Sequence, residues 1–185
     1  VGEVGFELYI KYSESKIIFN KIIEIGKKYK LSLCGAHAMD ILRMESGFLH
    51  WGHDISPEEN QFEAGLNFVI SFKKNFDFIG KDALLKINKS GVKKKFIMLT
   101  LNNTKPGEPL ALHYEPIFID GKMCGNTTSA NYSFNYNVNL LFGYVSSDLK
   151  VEDIAKQRIE VEIEKIKYPA SLLLKPLKDP KIKFN

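Results

Sequence analysis

The spacing of hydrophobic positions changes once along the chain. Near the start, Phe6, Leu8 and Ile10 alternate with Glu7, Tyr9 and Lys11 behind the turn residues Gly2 and Gly5, the period-2 pattern of a strand. Ser13 or Ser15 can cap a helix that follows and runs to about Lys30, since a hydroxyl accepts from an amide the first turn leaves unpaired. Ile18, Ile22, Ile25 and Tyr29 give that helix one apolar face. Leu31-Ser32-Leu33 is a short extended link, Gly35 opens a second helix, and Gly47 stops it in the left-handed conformation. Ser56 and Pro57 turn the chain, and the β-branched and aromatic residues from Gly65 to Phe72 predict a strand. Gly80 and Asp82 introduce a third helix, Ala83 to Lys89, ended by Ser90-Gly91. The order β-α-α-β-α is an α+β layer with too few strands for a self-contained sheet, so its partner strands are expected upstream of Val1.

From Lys95 onward the apolar runs are short and separated by turns. Phe96–Leu101 is one strand, Pro106-Gly107 and Glu108-Pro109 punctuate, and Pro116–Ile119 leads through the hairpin turn Asp120-Gly121 into Lys122–Cys124. Leu140–Val145, Arg158–Lys165 and Tyr168–Leu174 follow. Regular short strands between Gly and Pro turns predict a small antiparallel β-barrel with no helix longer than three turns. The expected division is therefore residues 1–91 as an α/β unit and 93–180 as a barrel, with the boundary near Ser90 to Lys93. No internal repeat or low-complexity tract interrupts either part.

Bulk properties exclude several classes. At 44% hydrophobic and 26% charged, the composition is that of a soluble globular domain, and no apolar run approaches the roughly 20 residues needed to span a bilayer. Cys34 and Cys124 are too few and too far apart for a disulfide framework, which suits a reducing compartment, and no base or CxxC partner accompanies either. The net charge of +4 is carried almost wholly by Lys spread along the chain, with a Lys93-Lys94-Lys95 run and a Lys-rich end. A nucleic-acid surface would want Arg and aromatics interleaved on one face, so no nucleic-acid partner is expected. No secretory segment opens the sequence, which begins at Val1 without Met and is read as a fragment.

Unusual side chains concentrate in Met39 to Leu66: the only Trp, Arg43, His50, His53 and six carboxylates. Arg43 has Asp40 three residues before it and Glu45 nearby, which predicts an ion pair holding helix to loop. His50, His53 and Asp54 are residue types that ligate zinc, but no third and fourth ligand follows at a recognisable spacing, and no metal is assigned. Alternation alone makes Glu7 a solvent-facing strand carboxylate.

Taken together, D-x-L-R-x-E-x-G, W-G-H-D-I, E-A-G-L and D-F-I-G-K-D-A-L-L (Asp77 to Leu85) resemble the folate-binding module of the glycine-cleavage T-protein (aminomethyltransferase) superfamily. The W-G-H-D-I and D-F-I-G-K-D-A-L-L spellings are more similar to the C-terminal module of dimethylglycine and sarcosine dehydrogenases, and the resemblance covers Gly2 to about Pro180. It implies a C-terminal β-barrel in the second half. It also implies that Glu7, ending G-E-V-G-F-E, binds the pterin ring of tetrahydrofolate, where a carboxylate can accept two parallel N–H bonds. Met39 and Trp51 are then expected as pocket lining. The family's pterin-flanking Tyr and catalytic Asp fall before Val1, so no catalytic residue is expected in this chain. The T-protein's motif Arg matches Met39 here, and Met cannot clamp an anion, a departure that fits the dehydrogenase branch better. Thr127-Thr128-Ser129 after Gly125 resembles a family strand-turn with a hydroxyl that can face the pocket.

The function implied is oxidative demethylation of dimethylglycine or sarcosine, with the one-carbon unit passed to tetrahydrofolate. No G-x-G-x-x-G motif is present, so FAD is expected only in a domain upstream, and the isolated chain is expected to be inactive. The partners are folate and a methylated amine, and the compartment is the cytoplasm, or the mitochondrial matrix in a eukaryote. The alternatives are a T-protein or other folate-dependent demethylase without flavin, or a non-catalytic folate-binding module. The sequence upstream of Val1 discriminates between them.

Overall fold

The computed structural model describes residues 1–179; Pro180, where the expected barrel unit ends, and the lysines after it lie outside the described residues. Helix α1 (Ser15–Gly26) passes into a 3-10 turn at Lys27–Tyr29 that Lys30 ends in the left-handed region. Neither serine caps α1. Its N-cap position is Glu14, with no side-chain bond, and the Ser15 hydroxyl donates back to the Tyr12 carbonyl at 2.7 Å. Helix α2 (Ala36–Glu45) opens after the extended Gly35, and α3 (Lys81–Ser90) lies between Gly80 and Gly91.

Two expected strands are absent. Phe6–Ile10 has the right alternation, and Gly65–Phe72 the right residue types, but neither meets a neighbouring strand among the described residues. A strand without a ladder partner leaves its amides and carbonyls unpaired. The first segment has no regular structure, and the second is turns around a 3-10 turn at Asn67–Val69.

The second half is a closed six-stranded antiparallel barrel: β1 (Lys94–Leu101), β2 (Pro116–Ile119), β3 (Lys122–Ser133), β4 (Val138–Ser146), β5 (Ile159–Ile163) and β6 (Ile166–Leu173), in the order β1-β4-β3-β2-β5-β6 with β6 closing on β1. The Asp120-Gly121 hairpin is present, with positive φ at both residues, as a two-residue turn requires. Strand β3 runs nine residues beyond the expected Cys124, because the polar residues Asn126 to Asn131 hide it from a hydrophobicity pattern. The one helix within 96–174 among the described residues, α4 (Val151–Ile154), was not expected; it sets Ile154 fully buried in the barrel interior.

Strand β4 joins the two halves. Leu141 and Val145 point into the barrel with Ile97, Leu99, Ile117 and Val161. Leu140 and Phe142 point outward, where Ile41 and Met44 of α2 cover them. Both faces are buried, which is why Leu140 to Val145 reads as an unbroken apolar run. No helix among the described residues is long and apolar enough to cross a membrane.

Candidate functional site

Helix α2 is fixed to the barrel by Arg43 and Asp54. The Arg43 guanidinium bonds Asp40 Oδ1 (2.8 and 2.9 Å), the Phe48 carbonyl (3.0 Å), the Ser129 hydroxyl (2.8 Å) and the Asp54 carboxylate, and it lies 5.4 Å over the Phe142 ring. The Asp54 side chain is fully buried, yet each oxygen is satisfied. Oδ2 takes Arg43 and the His50 amide (2.9 Å); Oδ1 takes the hydroxyls of Thr128 (2.5 Å) and Ser129 (2.8 Å). A buried charge is tolerated only with this degree of pairing. The expected ion pair between helix and loop is therefore present, with Asp54 as the loop partner. Glu45 bonds instead to Ser133 (2.6 Å) and Asn135 (2.9 Å).

The Thr128 and Ser129 contacts require an irregular strand. Consecutive side chains of a regular strand point to opposite faces, so both could not reach one carboxylate oxygen. The register of β3 on β4 shifts between Thr127 and Ser129, leaving Thr128 as an extra, bulged residue. Two glycines permit the close strand approach there. A Cβ on Gly125 would stand 1.8 Å from the Tyr144 carbonyl oxygen, and one on Gly143 2.5 Å from that of Asn126. Thr127, fully buried, faces the other way and bonds the Leu112 carbonyl (2.8 Å) and the Glu115 amide (2.9 Å), holding the loop before β2.

Between α2, residues 48–53, the loop 106–113 and the bulged part of β3 lies a groove of about 800 Å³. Its walls include Met39, Leu49, Leu110, Leu112 and Phe134, with His37, His50, His53, His113 and Asn131 among them. Met39 lines this groove. Trp51 is 65% exposed and is not among the groove-lining residues; the loop that carries it is. Glu7 is exposed and accepts the Tyr9 hydroxyl at 2.5 Å, a bond that pushes the Tyr9 pKa up. Val1, by contrast, lines the groove, and its carbonyl accepts from the Ser46 hydroxyl at 3.1 Å. The expected site residues are thus not gathered into one pocket by this chain. Cys34 is exposed, whereas burial pushes the Cys124 thiol up. Burial, followed by the carboxylates of Glu59, Asp54 and Glu63, likewise raises the Tyr144 phenol. Among the described residues, no group of three or more His, Cys, Asp or Glu is placed to hold a metal ion.

The histidine lining and the Asp54–Thr128–Ser129 link went unread in the sequence. Their one visible signal was the density of charged and aromatic residues around Trp51.

Comparison with known proteins bears on this arrangement. Residues 1–74 match the GCVT N-terminal domain, and residues 94–179 match the glycine cleavage T-protein C-terminal barrel domain. Human mitochondrial dimethylglycine dehydrogenase is 36% identical over 176 residues, which are 95% of this chain and 20% of that protein. An aminomethyltransferase from Symbiobacterium thermophilum is 32% identical over 168 residues, 89% of this chain and 41% of that one. The chain thus spans about a fifth of the dimethylglycine dehydrogenase. The crystal structure of the glycine cleavage system aminomethyltransferase T from Bartonella henselae superposes with a TM-score of 0.76 at 20% identity, covering 91% of this chain and 45% of that one, a likeness of fold. With the GCVT N-terminal domain and the glycine cleavage T-protein C-terminal barrel domain matched in order over most of its length, this chain belongs to the glycine cleavage T-protein family.

Proposed function

We propose that this chain is the C-terminal folate-binding portion of a one-carbon enzyme that oxidatively demethylates dimethylglycine or sarcosine and passes the carbon to tetrahydrofolate. The observation that carries this reading is the ordered pair of family matches on a chain whose relatives include dimethylglycine dehydrogenase. Residues 1–91 are the C-terminal half of the folate-binding domain, and 93–180 are the C-terminal β-barrel domain. Any FAD belongs to a part of the protein outside this chain. The compartment is the cytoplasm, or the mitochondrial matrix in a eukaryote.

The residues present fit a folate in two respects. The Glu7 carboxylate is accessible and can accept the paired N–H groups of an aminopyrimidine edge. The groove offers apolar walls with a few polar groups, the usual chemistry of a small-molecule site. When bound, tetrahydrofolate supplies the nucleophilic nitrogens that accept the one-carbon unit. In this reading Glu7 orients the ring, Met39 and Trp51 line the pocket, and the apolar walls exclude water.

Further support comes from apolar residues with nothing over them. Phe6, Ile17, Phe19 and Ile25 are 91%, 71%, 52% and 47% exposed. Ile17 and Phe19 stand on opposite sides of α1, and a helix apolar on more than one side is one that other segments cover. We assign that role to the rest of the folate-binding domain in the longer protein.

One feature favours a second reading. Met39 stands where the T-protein has its Arg, so a module that binds folate without catalysis is the alternative. Assay of the full-length protein with dimethylglycine and sarcosine, with and without tetrahydrofolate, separates the two. Folate should convert released formaldehyde into folate-bound one-carbon product, and the 185-residue chain alone should turn over neither amine. Formaldehyde release indifferent to saturating tetrahydrofolate would contradict the proposal.

A further inference from the structure

All four histidines of the chain, His37, His50, His53 and His113, line the single groove described above. They reach it from three places: α2, the loop after α2, and the loop before β2. None is buried. His50 and His53 sit as a tilted pair with ring centroids 4.5 Å apart. The carboxylate lining the groove, Asp40, is already engaged by Arg43 at 2.8 Å. The nearby acids Asp54 and Glu45 are buried and saturated, Asp54 by Arg43, the His50 amide, Thr128 and Ser129, and Glu45 by Ser133 and Asn135. The Tyr132 phenol completes the titratable groups facing the groove.

Protonating these imidazoles therefore adds positive charge that no carboxylate of the groove is placed to neutralise. Each protonated ring offers two N–H donors beside apolar walls, where a charge-assisted bond is stronger than in water. Two adjacent imidazolium rings repel, and an anion between them removes that repulsion, so anion binding and proton uptake are linked. We propose that the groove is a carboxylate-binding site that strengthens on acidification. The carboxylates come either from the glutamyl end of a folate, an arm that rests on the function proposed above, or from a free dicarboxylic acid, an arm that does not. The sign follows from linkage. A bound anion favours the protonated rings, so affinity is greatest at acidic pH and falls as pH rises.

The test is calorimetric titration of the full-length protein with glutarate and, separately, with 5-formyltetrahydrofolate, at pH 6 and pH 8 and fixed ionic strength. Each is run in two buffers of different ionisation heat, which counts the protons taken up. Affinity for at least one ligand should fall roughly tenfold from pH 6 to pH 8 with proton uptake at the lower pH. His50→Gln and His113→Gln, one from each of two walls, should each flatten the dependence. Both positions are exposed, and melting temperatures check that the variants fold. A dependence seen with glutarate supports the site and a free acid as its source; one seen only with the folate supports the site and the glutamyl end. Folate bound with no pH dependence and no proton uptake, beside inert glutarate, overturns the carboxylate site and leaves the folate reading standing. Glutarate bound as described with no folate binding does the reverse. No binding of either ligand, or a pH dependence untouched in both variants, overturns the site.

Discussion

Asp54 ties the two halves together, bonded to Arg43 and the His50 amide on one side and to Thr128 and Ser129 on the other. It is fully buried and meets a cation, an amide and two hydroxyls, so an amide in its place leaves Arg43 with Asp40 as its one carboxylate partner and sets a donor against the cation or against the hydroxyls. Asp54→Asn should cost about 3–5 kcal/mol, read as a lowered urea midpoint. Adding Arg43→Met should cost less than the sum of the two single changes, because the partners share one interaction. Costs that simply add would show that the pair is not coupled. A second residue-scale prediction concerns Glu59, whose side chain is 11% exposed. Burial pushes its carboxyl up, but the hydrogen bonds from Lys94 and Ser56 and the Lys94 charge more than offset this, so its pKa lies below the ordinary 4.5. A carboxylate with a depressed folded pKa contributes stability that is present above the unfolded value and lost as pH falls through the folded one. The melting temperature should therefore drop below about pH 4.5, and Glu59→Gln should flatten that limb. An unchanged acid limb would show that other carboxylates dominate it. At this scale the sequence was partly legible. Arg43 and Asp40 are three apart on one helix, so their pairing follows from helical spacing. The Asp54–Ser129 bond spans 75 positions and depends on a bulge that no local pattern announces.

Among the elements, β3 and β4 decide how the site is built. The bulge at Thr128 turns two consecutive hydroxyls toward Asp54, and Gly125 and Gly143 let the strands approach closely enough to keep it. Gly125→Ala would drive a methyl group to 1.8 Å from the Tyr144 carbonyl oxygen, which is backbone and cannot swing away. The variant should be destabilised by more than the ~1–3 kcal/mol usual for overpacking, measured by thermal melts, whereas Ala at the exposed Gly35 should be nearly neutral. Similar melting temperatures for the two would contradict the close-approach account. Turn chemistry made the barrel readable: the Asp120-Gly121 hairpin and the Gly/Pro punctuation located five strands and the start of the sixth, β3. Alternation and β-branched content misled at Phe6–Ile10 and Gly65–Phe72, because both describe what a strand's side chains look like and neither supplies the neighbour a ladder needs.

Over the whole molecule the two halves differ in how complete they are. The barrel closes on itself and buries its own interior. The first 35 residues leave most of their large apolar side chains exposed, and the chain spans only a fifth of the dimethylglycine dehydrogenase it resembles. The family was legible because its motifs fall in turns and helix ends whose spelling is specific. The proposed folate contacts were not, because the Glu7 and Trp51 side chains are exposed and this chain does not bring them together in one pocket. The central claim is that Glu7 binds the pterin in the complete protein, and one measurement addresses it directly: tetrahydrofolate titration of full-length wild type and Glu7→Gln, beside melts without folate. Glutamine keeps the size but puts a donor where the ring N–H needs an acceptor. Affinity should fall roughly 10- to 150-fold with an unchanged folate-free melting temperature. Equal affinities, or a large drop in melting temperature without folate, would show that Glu7 is a surface or scaffold carboxylate and not a ligand of the pterin.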